Sequence, residues 1–397
     1  MNRQSPSFYA KCLGNLLLHI LWLFSHLTPR NKQKWVVGNA KGFNNNTKYF
    51  FIYAKDVLHR PVYWISKNKK CREDVRRLGY QAYHPWSLKG LFHLLTAHVY
   101  VYDLRISALN YWTSGRAKKV NLWHGVGIKN VEFKRQAAMG MKAMPIWLEY
   151  LRHPIAYVKP DLFLSTSPMM TKHFAECFRI PESRCIESEY PRCRILKDTK
   201  EELIRFIDKY EPAETKQLIQ RIATANRTYI YMPTWRNTGE DFIREAGFDL
   251  SQLEKVLHEK NELFLFKLHP FTSIQMDTTQ YRHILFLSNK MDIYPVLPFT
   301  DVLITDYSSI YYDYLLIPGK EILLFPFDYD EYLHTERDLA FDFDTYTPGE
   351  RVRTFNELME AILSGRHFTN DRKQWITDMF WKSDKSEDLY QVIDARL

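Results

Sequence analysis

The sequence predicts an α/β fold made of two open strand–helix domains meeting across a cleft. Three observations carry this. Short runs rich in β-branched and aromatic residues alternate with helical segments, the rhythm restarts after a charged helical stretch at 199–219, and several runs end in histidine, lysine or hydroxyl residues. Ligands of open α/β sheets bind at such strand ends. The 397 residues, 45% of them apolar and 25% charged, suffice to bury two cores.

The oily run Leu13 to Leu27 comes first, with Lys11 before it and Arg30, Lys32 and Lys34 after it. It is shorter than the roughly 20 apolar residues that a spanning helix needs. No small-residue cleavage site of a signal peptide comes after it. Two readings stand side by side: a helix lying in the interface of an anionic membrane, or a helix buried against the first domain. A second basic and oily stretch, from Lys67 to Leu95 and including Tyr80 and Trp86, adds to the first reading. It also reads as an ordinary solvated face.

The first strand series is Trp35 to Asn39, Pro61 to Ser66, Ala97 to Asp103, Lys119 to Gly125 and Asp161 to Ser167. Helices at Asn46 to Leu58 and Lys70 to Gly79 separate the early members. One charged helix from Thr199 to Ile219 comes next, and then the second series: Thr228 to Thr234, Leu263 to Pro270, Ile284 to Ser288, Asp301 to Ser308 and Glu321 to Phe327. The tail from Arg372 to Leu397 reads helical.

Several strand ends carry chemistry. His124 in LWHGVGIK sits just past an apolar strand, where a neutral imidazole can take a proton from a hydroxyl. In FKLHP, Lys267 and His269 share one strand face, and Pro270 keeps His269 extended. In TDYSSIYYDYL, Thr305 ends a strand, Asp306 caps the next segment, and Ser308 and Ser309 open a helix whose free amides suit a phosphate. Arg236 in MPTWRNT, and Arg192 and Arg194 in EYPRCR, add guanidinium forks that match phosphate geometry. Each also has a structural explanation; the conjunction at separate strand ends is what points to an anionic ligand.

Other classes fall away. HExxH, GxSxG, GxGxxG and Walker spacings are absent. The five cysteines, Cys12, Cys71, Cys177, Cys185 and Cys193, have neither disulfide-scaffold nor zinc-knuckle spacing and read as reduced thiols of a cytosolic protein. A net charge of +9 with 15% aromatic residues suits an anionic partner or membrane surface. A nucleic-acid-binding protein would explain the charge but not the ordered histidines.

In order, LWHG, YPR, PTWR, KxHP, TDYSS and FPFDYDEY resemble the CDP-glycerol:glycerophosphotransferase family of teichoic acid and capsule polymer enzymes, over roughly Lys34 to Glu360. The resemblance implies a GT-B-like fold of two Rossmann-like domains. The pattern of segments divides the chain into a membrane-associating segment at 1–33, two α/β domains at 34–198 and 199–371 and a helical tail at 372–397, and the resemblance implies that the first domain takes the acceptor and the second the donor. The resemblance also implies His124 as base, His269, Ser308 and Ser309 on the donor phosphates, and Arg337 as the basic residue after FDYDEY; Arg236, Lys267 and Thr305, singled out above at their strand ends, complete the expected donor site. Three departures stand out. RDLAF occupies the place where the family more often has RG and an aromatic residue, Glu189 replaces the usual glycine before Tyr190, Pro191 and Arg192, and Arg194 replaces the common acid.

The implied reaction moves glycerol phosphate from CDP-glycerol to a hydroxyl of a lipid-linked saccharide or glycerol phosphate acceptor, releasing CMP at the cytoplasmic face of the membrane. The short N-terminus favours a priming enzyme over a long-chain polymerase. CDP-ribitol as donor, sugar transfer by a GT-B enzyme and an inactive membrane scaffold are the alternatives. No cofactor is required; Mg²⁺ stays open beside Asp306, Asp313, Asp328 and Asp330, each of which also has a use as cap or ion-pair partner.

Overall fold

The computed structural model describes residues 17–134, 155, 158–234, 236, 242–268, 279–335, 339–381 and 388–397. The chain divides into two compact units: Met1–His124, Met139–Arg192 and Ser383–Leu397 form the first, Gly125–Ala138 and Cys193–Lys382 the second.

The first unit is built on seven parallel strands: β1 (Asn31–Val37), β2 (Val62–Ile65), β3 (Ala82–Tyr83), β4 (Ala97–Tyr102), β5 (Lys118–Asn121), β6 (Leu162–Ser165) and β7 (Cys185–Glu187). They lie in the order β3-β2-β1-β4-β5-β6-β7. Trp35 is in register with Val62 on one side and Val99 on the other. The apolar runs are uninterrupted because helices cover both faces of a parallel sheet. Val36, Ile65, Tyr100 and Leu109 lie at the centre of one core cluster. The order reverses between β1 and β4, which opens a crevice at their carboxyl ends. Gly38 follows β1 directly; a Cβ there would lie 2.4 Å from the Ile65 carbonyl oxygen, so only glycine lets the two backbones approach.

The second unit repeats the plan with β8 (Thr228–Tyr231), β9 (Leu263–Phe266), β10 (Ile284–Phe286), β11 (Val302–Thr305), β12 (Glu321–Leu324) and β13 (Glu350–Arg351), all parallel and ordered β10-β9-β8-β11-β12-β13. Its reversal falls between β8 and β11. Tyr231, Phe264, Phe266 and Phe325 pack with Leu253 and Leu358 in its core.

All ten anticipated strands are present, and three more, β3, β7 and β13, are only two or three residues long. The charged helix anticipated at 199–219 is two helices, Lys200–Tyr210 and Ala213–Ile222. The cause is Pro212, which forces the preceding Glu211 into extended backbone at φ −97°, ψ 149°. The tail is also two helices: Lys373–Trp381 lies in the second unit and Leu389–Arg396 in the first. Tyr390 stacks on Trp35 at 4.2 Å and Phe50 at 5.9 Å.

Residues 17–25 are helical, and the two readings of the oily N-terminus each hold for one face. Leu18, Leu21 and Trp22 pack on the first core, whereas Leu17, Ile20, Leu23, Phe24 and Leu27 are exposed. The flanking charge differs from the expectation. Arg30 spends its guanidinium on the carbonyls of Ser25, Leu94, Ala97 and Thr113, and Lys34 is buried, bonded to Thr96 Oγ1 and lying 4.4 Å from the Phe92 ring centre. Lys32 stays exposed. Lys11 and the start of the oily run lie outside the described residues.

Candidate active site

In the first unit, the carboxyl ends of β1, β4 and β5 converge on His124. After β5 the chain turns sharply: Trp123 adopts φ +50°, a left-handed conformation that is costly for a bulky residue. Neighbouring groups hold it there. Asn121 Oδ1 accepts from the Trp123 amide at 2.9 Å, and Asn46 Nδ2 donates to the carbonyls of Leu122 and Trp123 at 3.0 and 2.9 Å. The indole packs among Phe163, Phe174 and Phe178, with the His124 ring 4.1 Å away. Strain of this kind, fixed by surrounding bonds, aims the next side chain.

His124 is half-buried. Its Nδ1 lies 3.2 Å from the main-chain carbonyl oxygen of Asp103, and the His124 main-chain carbonyl accepts from Arg192 Nη1 at 2.7 Å. Burial, and then the positive charges of Arg192 and Lys41, push the imidazole down to about 3, so the ring is neutral at physiological pH. Arg192, anticipated as a phosphate fork, is 5% exposed and also donates to Asn45 Oδ1; it acts as a brace for this turn.

Sequence reasoning missed the partners of this histidine. Asp103 is 2% exposed, and burial lifts its carboxyl to about 7 against the opposing effects of the Thr47 bond, Arg192 and Lys41. Asn39, Asn46 and Thr47 bind it or the His124 turn. The signal present in the sequence was GNAKGFNNN, a glycine and asparagine cluster directly after the first strand.

In the second unit, the carboxyl ends of β8 and β11 meet in a buried ion cluster. Arg236 pairs with Asp328 at 2.6 and 2.9 Å and with Asp306 at 2.8 Å, and it donates to the Thr234 carbonyl. The Tyr307 and Tyr332 rings lie 5.3 and 5.0 Å from the guanidinium carbon. Asp306 is fully buried and also accepts from the Thr234 amide at 2.8 Å. It is therefore a pairing partner, and the helix cap expected of it is not what its carboxylate does. Thr305 is likewise fully buried, with its hydroxyl on the Met232 carbonyl at 2.7 Å. It joins two strand ends and has no surface to offer a ligand.

Ser308 and Ser309 come next after this cluster and are half-buried. Ser308 Oγ accepts from the Ile310 amide at 3.5 Å, while Ser309 makes no capping bond to the short helix Ile310–Tyr314. Five residues give that helix only a small dipole. The segment after His124 packs here too: a Cβ on Gly127 would lie 3.4 Å from Ser309 Cβ, and Lys129 bridges to Leu339. Lys267 donates to the Ser288 carbonyl at 2.6 Å, and burial lowers its ammonium to about 8, with Asp292 opposing. His269 and Arg337 lie outside the described residues. Among the described residues, no group of three or more His, Cys, Asp or Glu side chains could hold a metal ion, and Asp306 and Asp328 are already paired with Arg236.

Residues 21–392 match the family described as CDP-glycerol:poly(glycerophosphate) glycerophosphotransferase. The chain is 26% identical to the teichoic acid poly(glycerol phosphate) polymerase of Bacillus spizizenii, covering 94% of this chain and 93% of that one. It is 28% identical to the teichoic acid ribitol-phosphate primase of the same organism, covering 86% and 85%. Among solved structures, that of the wall teichoic acid polymerase TagF superposes with a TM-score of 0.71 at 20% identity, over 98% of this chain and 96% of that one, and shares its α/β fold.

Proposed function

The chain belongs to the CDP-glycerol:poly(glycerophosphate) glycerophosphotransferase family, and from that premise we propose that it transfers glycerol phosphate from CDP-glycerol to a hydroxyl of a membrane-linked saccharide or polyol-phosphate acceptor. The observation that carries the reading is His124, a neutral imidazole held by its Nδ1 on a strained turn at the crevice of a parallel sheet. A bracing network of that kind suits a base that must stay uncharged until it acts.

In the proposed reaction, Nε2 of His124 takes the proton of the acceptor hydroxyl as its oxygen attacks the glycerol-bearing phosphorus in line. The phosphoanhydride bond breaks, and its electron pair leaves with CMP. The free imidazole is a weak base because burial, Arg192 and Lys41 depress it. The anionic pyrophosphate of the donor counters those positive charges and strengthens the base when the substrates are in place. Ser308, Ser309, Lys267, His269 and Arg337 are assigned to the donor phosphates, where hydroxyls and cations stabilise the developing charge. Arg236 and Thr305 serve that site by fixing the turn that presents the serines.

CDP-ribitol is the second reading, because relatives named for glycerol phosphate and for ribitol phosphate match at similar identity. Length does not separate priming from polymerisation, since a primase and a polymerase are both matched over most of their own length. The test is transfer from CDP-glycerol, CDP-ribitol and UDP-glucose to lipid-linked saccharides, with and without EDTA, reading CMP release and acceptor mass together. Glycerol phosphate gain with CMP release is expected, and one or a few additions mark a priming enzyme. A His124→Ala rate within a few-fold of wild type would remove the base assignment.

A further inference from the structure

We propose that Asp103 is the positioning residue that fixes His124 as the Nδ1–H tautomer and so leaves Nε2 as the nitrogen that accepts a proton. The proposal rests on the glycerophosphotransferase reading for its consequence on rate, but its structural content stands on geometry alone.

Asp103 is the first residue past β4, at the place where the strand order of the first sheet reverses. Its carboxylate Oδ2 accepts from Asn39 Nδ2 at 2.8 Å and from Thr47 Oγ1 at 3.2 Å. Asn39 follows β1 by two residues and also reaches Asn44 Oδ1 at 2.9 Å. Thr47 lies in the first turn of the helix Asn45–Asp56. One buried carboxylate thus ties the end of β4 to the end of β1 and to the helix that β1 feeds. Two anchors on one side chain hold the Asp103 peptide in a single orientation, and its carbonyl oxygen then meets His124 Nδ1 at 3.2 Å.

A carbonyl oxygen only accepts, so the proton of the neutral ring must sit on Nδ1. The other side of the turn is held independently, by Arg192 on the His124 carbonyl and Asn46 on the two carbonyls before it. Those bonds fix the main chain, whereas Asp103 fixes the ring. The charged and titratable groups bearing on Asp103 are Arg192 and Lys41, with His124 on its carbonyl. Without the side-chain anchors, the carbonyl is free to turn, the ring can exchange tautomers, and the fraction with an available Nε2 falls.

The experiment uses the full chain labelled with ¹⁵N-histidine, the His124 signals being assigned by their loss in His124→Gln. Wild type is expected to show a protonated Nδ1 and an unprotonated Nε2. Asp103→Ala should give a mixture of tautomers and lower kcat by about tenfold or more with KM for CDP-glycerol within about threefold, the split expected of misplaced proton-transfer geometry. Asp103→Asn keeps an oxygen for Asn39 and Thr47 and should retain the tautomer and most of kcat. Thr47→Val removes one anchor and shifts the same two readouts in smaller measure; it decides the matter if Asp103→Ala does not fold. An Nε2–H tautomer in wild type, or an unchanged tautomer in both Asp103→Ala and Thr47→Val, overturns the proposal. Lack of any transfer by wild type would instead sink the glycerophosphotransferase reading, while the nitrogen shifts would still report on the positioning.

Discussion

At the scale of single residues, motif position and side-chain occupation tell different stories. Arg236 stands in PTWR just after a strand, a place that suits a phosphate fork, yet its guanidinium is tied up by Asp306 and Asp328 in a site only 6% exposed. Both carboxylates hold its proton more tightly than usual, even against the cost of burial. Removing one member of such a cluster leaves buried charge without a partner. Arg236→Ala should therefore lower stability by about 3–5 kcal/mol in denaturant titration, and Arg236→Lys should recover little because one ammonium cannot span two carboxylates in the same fork. A stability change below about 0.5 kcal/mol, the size of an ordinary surface substitution, would return Arg236 to the ligand-binding set. His124 was legible because a glycine-flanked histidine after an apolar strand is a local pattern. Asp103, Thr47 and Asn46 were not, because what matters is contact between strand ends far apart in sequence.

At the scale of elements, short apolar runs marked the strands well, whereas short edge strands and helix breaks escaped. β3 and β13 contribute two residues each, too few for any periodicity to register, and they exist because a neighbouring strand offers its edge. Pro212 was a visible break inside a segment read as one helix. The last helix was also visible, but its address was not. Tyr390, 1% exposed, closes over Trp35 and Phe50, and Asp388 accepts from the Tyr53 hydroxyl. Tyr390→Ala should cost about 3–5 kcal/mol, typical of deleting a buried aromatic side chain. Near-ultraviolet circular dichroism of the Trp35 environment should report the loss; an unchanged melting profile would mean that this helix does not stabilise the first unit.

For the whole molecule, Leu17, Ile20, Leu23, Phe24 and Leu27 form an exposed apolar row, the surface that the proposed membrane-linked acceptor would bring against a bilayer. Trp86, Leu88 and Phe92 form further exposed apolar surface in the same unit, with exposed Lys89 among them. Among the described residues, no helix is long and apolar enough to cross a membrane. Peripheral binding to anionic vesicles is the expected behaviour, through apolar insertion assisted by lysine. A Leu23→Ser, Phe24→Ser, Leu27→Ser triple variant should lower vesicle affinity by about tenfold or more, since each buried side chain of this size contributes about 1.5–3 kcal/mol. Salt should weaken binding only in part. Undiminished sedimentation of the triple variant with vesicles would assign this row to some other contact.

By itself the sequence determined the α/β class, the two strand series and the family, because strand periodicity and ordered motifs are properties of short segments. It also placed His124 at a strand end, since the glycines beside it sit in the same segment. Only the tertiary structure decided which polar residues are spent on the fold: Arg30, Lys34, Arg192, Arg236 and Thr305 read as available from their neighbours in sequence, and Asp306 as a helix cap, but all are committed to partners brought in by the fold. The physical reason is that a buried polar group must be paired, and its partner is chosen by strand order and register, which no local segment encodes.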